Sequence, residues 1–279
     1  MAPPSATDMG NRSFTTALEQ QAAARRPRVG LDWDVFVRPI AHRGLHDPRQ
    51  GRLENTAPAF RAAIDRDYGI ECDLQPARDG TPMVFHDEKL DRLMGASGPI
   101  AAYAQAELAR FSYRGLNERI LTFAQFLELV GGRVPLLVEV KGKASAPDPA
   151  FLDRIAELAS AYCGPVALMS FNRAIVAALA ERAPKVPRGA VVGGQQMLAS
   201  LWSAAGRARD SAAGARVFRP TVGGLAFHAV DVKLVAVARK WMTRHGIDLP
   251  LFSWTVRTPR QRAVAARWAD APIFEGYEP

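Results

Sequence analysis

The chain has 279 residues, 48% hydrophobic and 23% charged, with 36 Lys and Arg against 28 Asp and Glu for a formal charge of +8. That balance excludes a collagen-like or wholly disordered chain, and the length suits one large α/β barrel or two modest domains. No stretch approaches the ~18 consecutive apolar residues of a membrane-spanning helix. Two cysteines are too few for a disulfide framework, so a reducing, cytoplasmic setting is expected. The excess of Lys and Arg is spread along the chain, with no block of like charge, RNA-binding aromatic motif or zinc-finger spacing. It therefore predicts attraction to an anionic small molecule, and no nucleic-acid binding is expected.

Residues 1–36 read as an N-terminal extension, polar and rich in Ala, Arg and Ser, without the apolar core of a secretory signal. A short helix is expected around Phe14 to Ala24. Residues 37–279 read as one domain in which strand-like runs alternate with helical patterns. Strands are predicted at Pro39–His42, Ile70–Gln75, Met83–His86, Leu136–Lys141, Val166–Phe171, Gly189–Val192, Leu225–Val230, Leu251–Val256 and Pro272–Phe274. Helices are predicted at Ala57–Asp67, with Asn55 or Thr56 as an ordinary N-cap, and at Phe123–Val130. The second has a Thr122/Gln125 capping box and a Gly131-Gly132 stop. Two more are predicted, at Lys233–His245 with Leu234, Val237, Ala238 and Trp241 on one face, and at Pro259–Trp268. The stretch from Gly193 to Val222, rich in Ala, Gly and Arg, has no clear pattern. Alternation of this kind implies parallel strands joined by helical crossovers, and eight such strands close into a TIM (β/α)8 barrel, an α/β fold.

Two strands depart from the apolar pattern of a buried parallel sheet. Alternation puts Glu71 and Asp73 on one face of Ile70–Leu74, opposite Ile70, Cys72 and Leu74. In Leu136–Lys141, Glu139 and Lys141 share a face opposite Leu136, Val138 and Val140. Carboxylates inside a barrel are costly unless something neutralises them. Either Glu71, Asp73 and Glu139 surround a divalent cation, Mg²⁺ or Ca²⁺ by their all-oxygen character, or they pair with Lys141 or an arginine. Of the five histidines, His42 and His86 close strand-like runs near these carboxylates and suit proton transfer. Asp87 is placed to orient His86. His46, His228 and His245 lack this context and read as loop or packing residues. Arg43 and Lys141 supply positive charge that either stabilises a phosphoryl group or belongs to the surface or to an ion pair with Glu139.

Read in order, His42-Arg43-Gly44, Glu54-Asn55-Thr56, Glu71-Cys72-Asp73, Asp79–Asp87 with Leu90-Asp91-Arg92, Leu137–Lys141 and Ser253–Val256 resemble the glycerophosphodiester phosphodiesterase family. The resemblance spans Pro39 to Pro279. It implies a TIM barrel that uses a divalent cation to hydrolyse glycerophosphodiesters to an alcohol and sn-glycerol 3-phosphate. By the same resemblance Glu71, Asp73 and Glu139 are the metal ligands, His42 and His86 the acid–base pair, and Arg43 and Lys141 the phosphate contacts. Glu54 supports the site from behind, and Trp254 lines it or packs beside Phe252 and Val256. A small insertion, about residues 88–120, follows the second strand region and covers the glycerol side. Two positions depart from the family pattern: Arg257 stands where Asn is common, and Glu275 where a Thr-Asp pair is common. Both lie away from the metal and histidine motifs in sequence and are expected to bear on the head group alone.

Two other readings compete. A related barrel phosphodiesterase acting on lysophospholipids or sphingolipids needs an apolar rim for peripheral membrane contact, for which the insertion offers Met94, Ile100, Tyr103, Phe111 and Tyr113. A catalytically silent barrel would bind an anion without turnover.

Overall fold

A computed structural model describes residues 30–142, 148–193 and 224–279. The helix expected around Phe14 to Ala24 and nearly all of the unpatterned stretch from 193 to 222 lie outside the described residues.

The strands are β1 (Ile40–His42), β2 (Gly69–Pro76), β3 (Pro82–Val84), β4 (Leu136–Val140), β5 (Val166–Ser170), β6 (Arg188–Val192), β7 (Phe227–Asp231), β8 (Leu251–Val256) and β9 (Ala271–Phe274). All but β3 are parallel and run in the order β1-β2-β4-β5-β6-β7-β8-β9, with β9 pairing back onto β1. This is the closed eight-stranded barrel that the alternation predicts. The exception is the Met83–His86 run, whose strand portion folds back antiparallel on β2 with Leu74 opposite Val84.

The helices described here are α1 (Trp33–Phe36), α2 (Ala57–Asp65), α3 (Gln105–Leu108), α4 (Phe123–Val130), α5 (Pro149–Ala161), α6 (Arg173–Arg182), α7 (Val235–Arg244) and α8 (Pro259–Trp268). In α4 the Thr122 hydroxyl accepts from the Gln125 N–H at 3.2 Å, and the Gln125 carboxamide oxygen accepts from the Thr122 N–H at 2.9 Å. Gly131, at φ +58°, ends that helix in the left-handed conformation. Helix α7 starts later than expected because Asp231 holds a turn before it, accepting from the Lys233 and Leu234 N–H groups. Its buried face is Val235, Ala238, Trp241 and Met242, whereas Val237 is 50% exposed and is not a core residue.

Strand alternation sorts the side chains into two cores. Ala41, Ile70, Cys72, Leu74, Leu136, Val138 and Val140 face outward against Phe60, Phe123, Phe126 and other helix residues. Ile40, Leu137, Ala167, Met169, Val191, Phe227, Phe252 and Ile273 fill the interior, where Leu31 and Phe36 also pack. Position 189, in register with Phe227, is glycine because the Phe227 ring occupies the side-chain space; a Cβ there would meet the ring at 2.3 Å. The insertion carries its own core of Phe85, Leu90, Met94, Ile100, Leu108, Tyr113 and Ile120. The residues proposed as an apolar rim are therefore spent on packing. Met94, Ile100 and Tyr113 are buried, and Tyr103 stands edge-on to Phe111 at 5.2 Å.

Candidate active site

Register brings the polar residues together at the C-terminal ends of the strands, the face on which barrel chemistry is built. His42 ends β1 directly beside Glu71 of β2, and Asp73 lies in register with Glu139 of β4. All three carboxylates are buried, with one oxygen from each lying within 4.8 Å of the others. Lys141, just past β4, reaches Asp73 at 2.8 Å and Glu139 at 2.7 Å. Arg43 adopts a left-handed backbone, φ +57°, which turns its N–H toward Glu71 at 3.1 Å. Its guanidinium meets Glu54 at 2.7 Å and stands 3.3 Å from Asp73.

The electrostatics of the three acids differ. Burial works to raise Asp73, but Lys141 and then Arg43 outweigh it and hold this carboxyl far below the ordinary range. Burial, and then repulsion from Asp73 and Glu139, pushes Glu71 well above that range. Burial, opposed by Lys141 and reinforced by Asp73, raises Glu139 to about 7. Lys141 and Arg43 thus satisfy Asp73 and leave Glu71 and Glu139 short of the positive charge they need to ionise. An all-oxygen set that is closely spaced, dry and in want of a counter-charge fits a hard divalent cation. The ion pairing to Lys141 and the capacity to hold a cation coexist in one cluster.

The two histidines have matching surroundings. His86 lies past β3, where the Phe85 N–H donates to the Asp73 carbonyl at 3.0 Å and Gln75 donates to the His86 carbonyl at 2.9 Å. Its Nδ1 is 2.7 Å from Asp87, which receives Arg92 at 2.6 Å. Arg92 also forks onto Glu54 at 2.7 and 2.9 Å, so Glu54 joins the arginine behind His86 to Arg43. The Nδ1 of His42 is 2.7 Å from Glu275, and its Nε2 is 3.9 Å from Glu71. Burial lowers the pKa of both rings below the usual histidine value.

Three findings revise the sequence expectations. Glu275 and Arg257 do not lie apart from the histidine motifs. Glu275 contacts His42, and Arg257 forks onto both Glu275 oxygens at 2.9 and 3.1 Å. His46 stands 3.8 Å from Glu275 and belongs to the surroundings of the site. Of the two expected caps, Thr56 takes the N-cap position of α2, whereas Asn55, at φ +56°, sends its side-chain amide into the barrel to donate to Asp73 at 2.9 Å. The only sequence signal for Asn55 was its place in the Glu54-Asn55-Thr56 motif. Glu275 carried none beyond its departure from the family pattern.

Trp254 faces the interior with Phe252, while Val256 turns outward because the β8–β9 register shifts between Ser253 and Val256. Its indole N–H donates to the Ala229 carbonyl at 3.0 Å, and its ring meets Phe171 edge-on at 5.3 Å. Trp254, Phe171, Met169, Val191 and Ile273 form the apolar wall of a cleft of about 250 Å³. His42, Arg43, Glu71, His86, Glu139 and Lys141 form its polar wall.

Fold and site together define a TIM barrel whose mouth combines a carboxylate cluster, two cations and two carboxylate-held histidines. Residues 42–274 match the glycerophosphoryl diester phosphodiesterase family, and the chain belongs to that family. It is similar to a glycerophosphodiester phosphodiesterase of Caldanaerobacter subterraneus, 34% identical over 110 residues, which cover 37% of this chain and 44% of that protein. The mouse glycerophosphodiester phosphodiesterase 1 is 30% identical over 137 residues, 45% of this chain and 40% of the mouse protein. The chain thus spans less than half the length of these curated relatives. Among solved structures, an Oleispira antarctica phosphodiesterase in complex with the product sn-glycerol-3-phosphate superimposes with a TM-score of 0.68. It is 20% identical, and the match covers 85% of this chain and 92% of that one. A Thermotoga maritima glycerophosphodiester phosphodiesterase superimposes with a TM-score of 0.63 at 23% identity, covering 86% of this chain and 94% of that one.

Proposed function

We propose that this chain is a phosphoric diester hydrolase that converts glycerophosphodiesters to an alcohol and sn-glycerol 3-phosphate. The reading rests on one observation: two carboxylate-held histidines, Arg43, Lys141 and buried carboxylates line a single small cleft. The family membership and the product held by the Oleispira antarctica neighbour support it.

Glu71, Asp73 and Glu139 would hold a divalent cation, Mg²⁺ or Ca²⁺. When bound, such a cation polarises a phosphoryl oxygen and neutralises charge that grows in the transition state. Arg43 and Lys141 face the same phosphoryl group and orient it. With Nδ1 of each histidine engaged by a carboxylate, Nε2 is the nitrogen left for the substrate. One imidazole takes the proton of the attacking hydroxyl and the other gives a proton to the departing alcohol oxygen. Trp254 and Phe171 form an apolar wall for the carbon skeleton of the glycerol. A small-molecule diester fits this cleft, and the burial of the insertion's apolar residues removes the feature that favoured a lysolipid at a membrane surface. Among the described residues no helix is long and apolar enough to cross a membrane. Cys72 is buried and Cys163 exposed, both as free thiols, and a reducing, cytoplasmic setting belongs to the same proposal.

The test is release of glycerol 3-phosphate from a panel of glycerophosphodiesters and lysolipids, with each metal added separately. Turnover is expected on the water-soluble diesters, and His42→Ala and His86→Ala are each expected to lower it by about 10²-fold or more. Near-normal turnover in either variant removes that residue from its role. Faster turnover of lysolipids overturns the substrate assignment.

A further inference from the structure

We propose that Glu275 is the positioning residue of His42 and that Arg257 is the clamp that holds Glu275 in place, an inference that rests on the hydrolytic reading above. The residues come from three neighbouring strand ends: His42 closes β1, Glu275 follows β9 and Arg257 follows β8. The Glu275 N–H donates to the Val256 carbonyl at 3.1 Å, which ties the start of the C-terminal segment to the strand that precedes Arg257. From there the Glu275 carboxylate reaches His42 Nδ1 at 2.7 Å, and Arg257 engages both of its oxygens.

The arrangement repeats what surrounds the other histidine. His86 is held by Asp87, which is held by Arg92 at 2.6 and 3.0 Å. Each histidine is therefore backed by a carboxylate and each carboxylate by a forked arginine. One chain is built locally in sequence, and the other joins residues 233 positions apart. A neutral imidazole without an acceptor at Nδ1 populates both tautomers, whereas a carboxylate there fixes the proton on Nδ1 and leaves Nε2 for the reaction. Arg257 and Glu275 touch each other through both carboxylate oxygens, so the two side chains act as one unit against His42.

His42, His46 and Glu275 also lie close enough together to suggest a second cation site. Arg257 occupies both Glu275 oxygens, and its positive charge argues for the positioning role instead.

The experiment compares Glu275→Ala, Glu275→Gln, His42→Ala and His42→Ala/Glu275→Ala in the full chain with glycerophosphocholine. Glu275→Ala is expected to lower kcat by about 10- to 100-fold with KM changed by less than about 3-fold. Glu275→Gln recovers part of the loss, because its amide oxygen still accepts from Nδ1. The double variant is no slower than His42→Ala, since Glu275 acts only through that ring. Wild-type kcat in Glu275→Ala, or a double variant slower by the product of both losses, overturns the inference while leaving the hydrolytic reading intact. Nitrogen NMR of the His42 ring decides the same point without turnover. A ring protonated at Nδ1 in the wild type that becomes a tautomer mixture in Glu275→Ala supports the inference, and an unchanged ring refutes it. An inactive wild type with the NMR change intact defeats the hydrolytic reading alone.

Discussion

Glu139→Gln isolates the charge that the barrel leaves unrelieved. The Glu139 carboxyl is raised to about 7 because it is buried beside Asp73, and Lys141, with a smaller help from Arg43, offsets only part of the cost. A carboxyl of this kind keeps its proton in the folded chain but loses it in the unfolded one between about pH 4.5 and 7. Folding then takes up a proton, so in metal-free protein stability falls as the pH rises through that window. At roughly 1.4 kcal/mol per pH unit, Glu139 costs about 3 kcal/mol once fully ionised. Glu71, also raised by burial, acts with the same sign, while His42 and His86, lowered by burial, act with the opposite sign and only below about pH 6.5, so the wild-type profile alone is ambiguous. The difference between the two proteins is not. Glutamine still accepts from Lys141 and carries no charge, so the two differ little near about pH 5, and by about pH 8 the variant gains about 3 kcal/mol on the wild type. Urea unfolding in EDTA measures this gap directly. Excess Mg²⁺ or Ca²⁺ should stabilise the wild type at the higher pH and the variant much less. Parallel profiles for the two proteins, or equal stabilisation by the cation, would refute the claim that Glu139 belongs to a charge-starved cation cradle.

Removal of divalent cations by a chelator should abolish turnover, with activity returning on addition of Mg²⁺ or Ca²⁺; full activity in excess EDTA counts against the carboxylate assignment. Phe60→Ala deletes a fully buried ring packed 4.5 Å from Phe126 and should destabilise the chain by about 3–5 kcal/mol in urea unfolding, with no change in KM. Gly44→Ala meets two obstacles, a backbone at φ +78° and the Ala59 carbonyl carbon 2.9 Å from the new Cβ. It should cost about 1–3 kcal/mol by the same measurement. It should also lower kcat, because Gly44 follows the left-handed Arg43 that aims its N–H at Glu71.

The barrel was legible because its signals are local. Alternation in Ile70–Leu74 and Leu136–Val140 assigns inner and outer faces without knowledge of the partner strand, and a register that pairs Asp73 with Glu139 does the rest. Residues that act through distant contacts left no such trace. Glu275 and Arg257 become meaningful only when β9 closes onto β1, an event that no window of the chain records. Asn55 resembled a helix cap because Asn is favoured at that position on local grounds. A left-handed backbone turned its side chain onto Asp73 instead. The insertion misled for a related reason: an aromatic run that packs its own core and one that faces a membrane have the same composition.

The division of labour between the two faces of β2 explains how the fold tolerates such a site. Ile70, Cys72 and Leu74 join a continuous outer core with the helices, and this burial holds the strand regardless of what faces inward. The interior is apolar through Leu137, Ala167, Phe227 and Phe252, and polar only toward the mouth, where Glu71, Asp73 and Glu139 sit. Keeping charge near the mouth puts the buried acids within reach of groups from the loops: Arg43 and Asn55 for Asp73, Lys141 for both Asp73 and Glu139, and the Arg43 N–H for Glu71. The same depth that keeps the acids affordable keeps them at the surface a diester can reach, so stability and reactivity select one layer of the barrel.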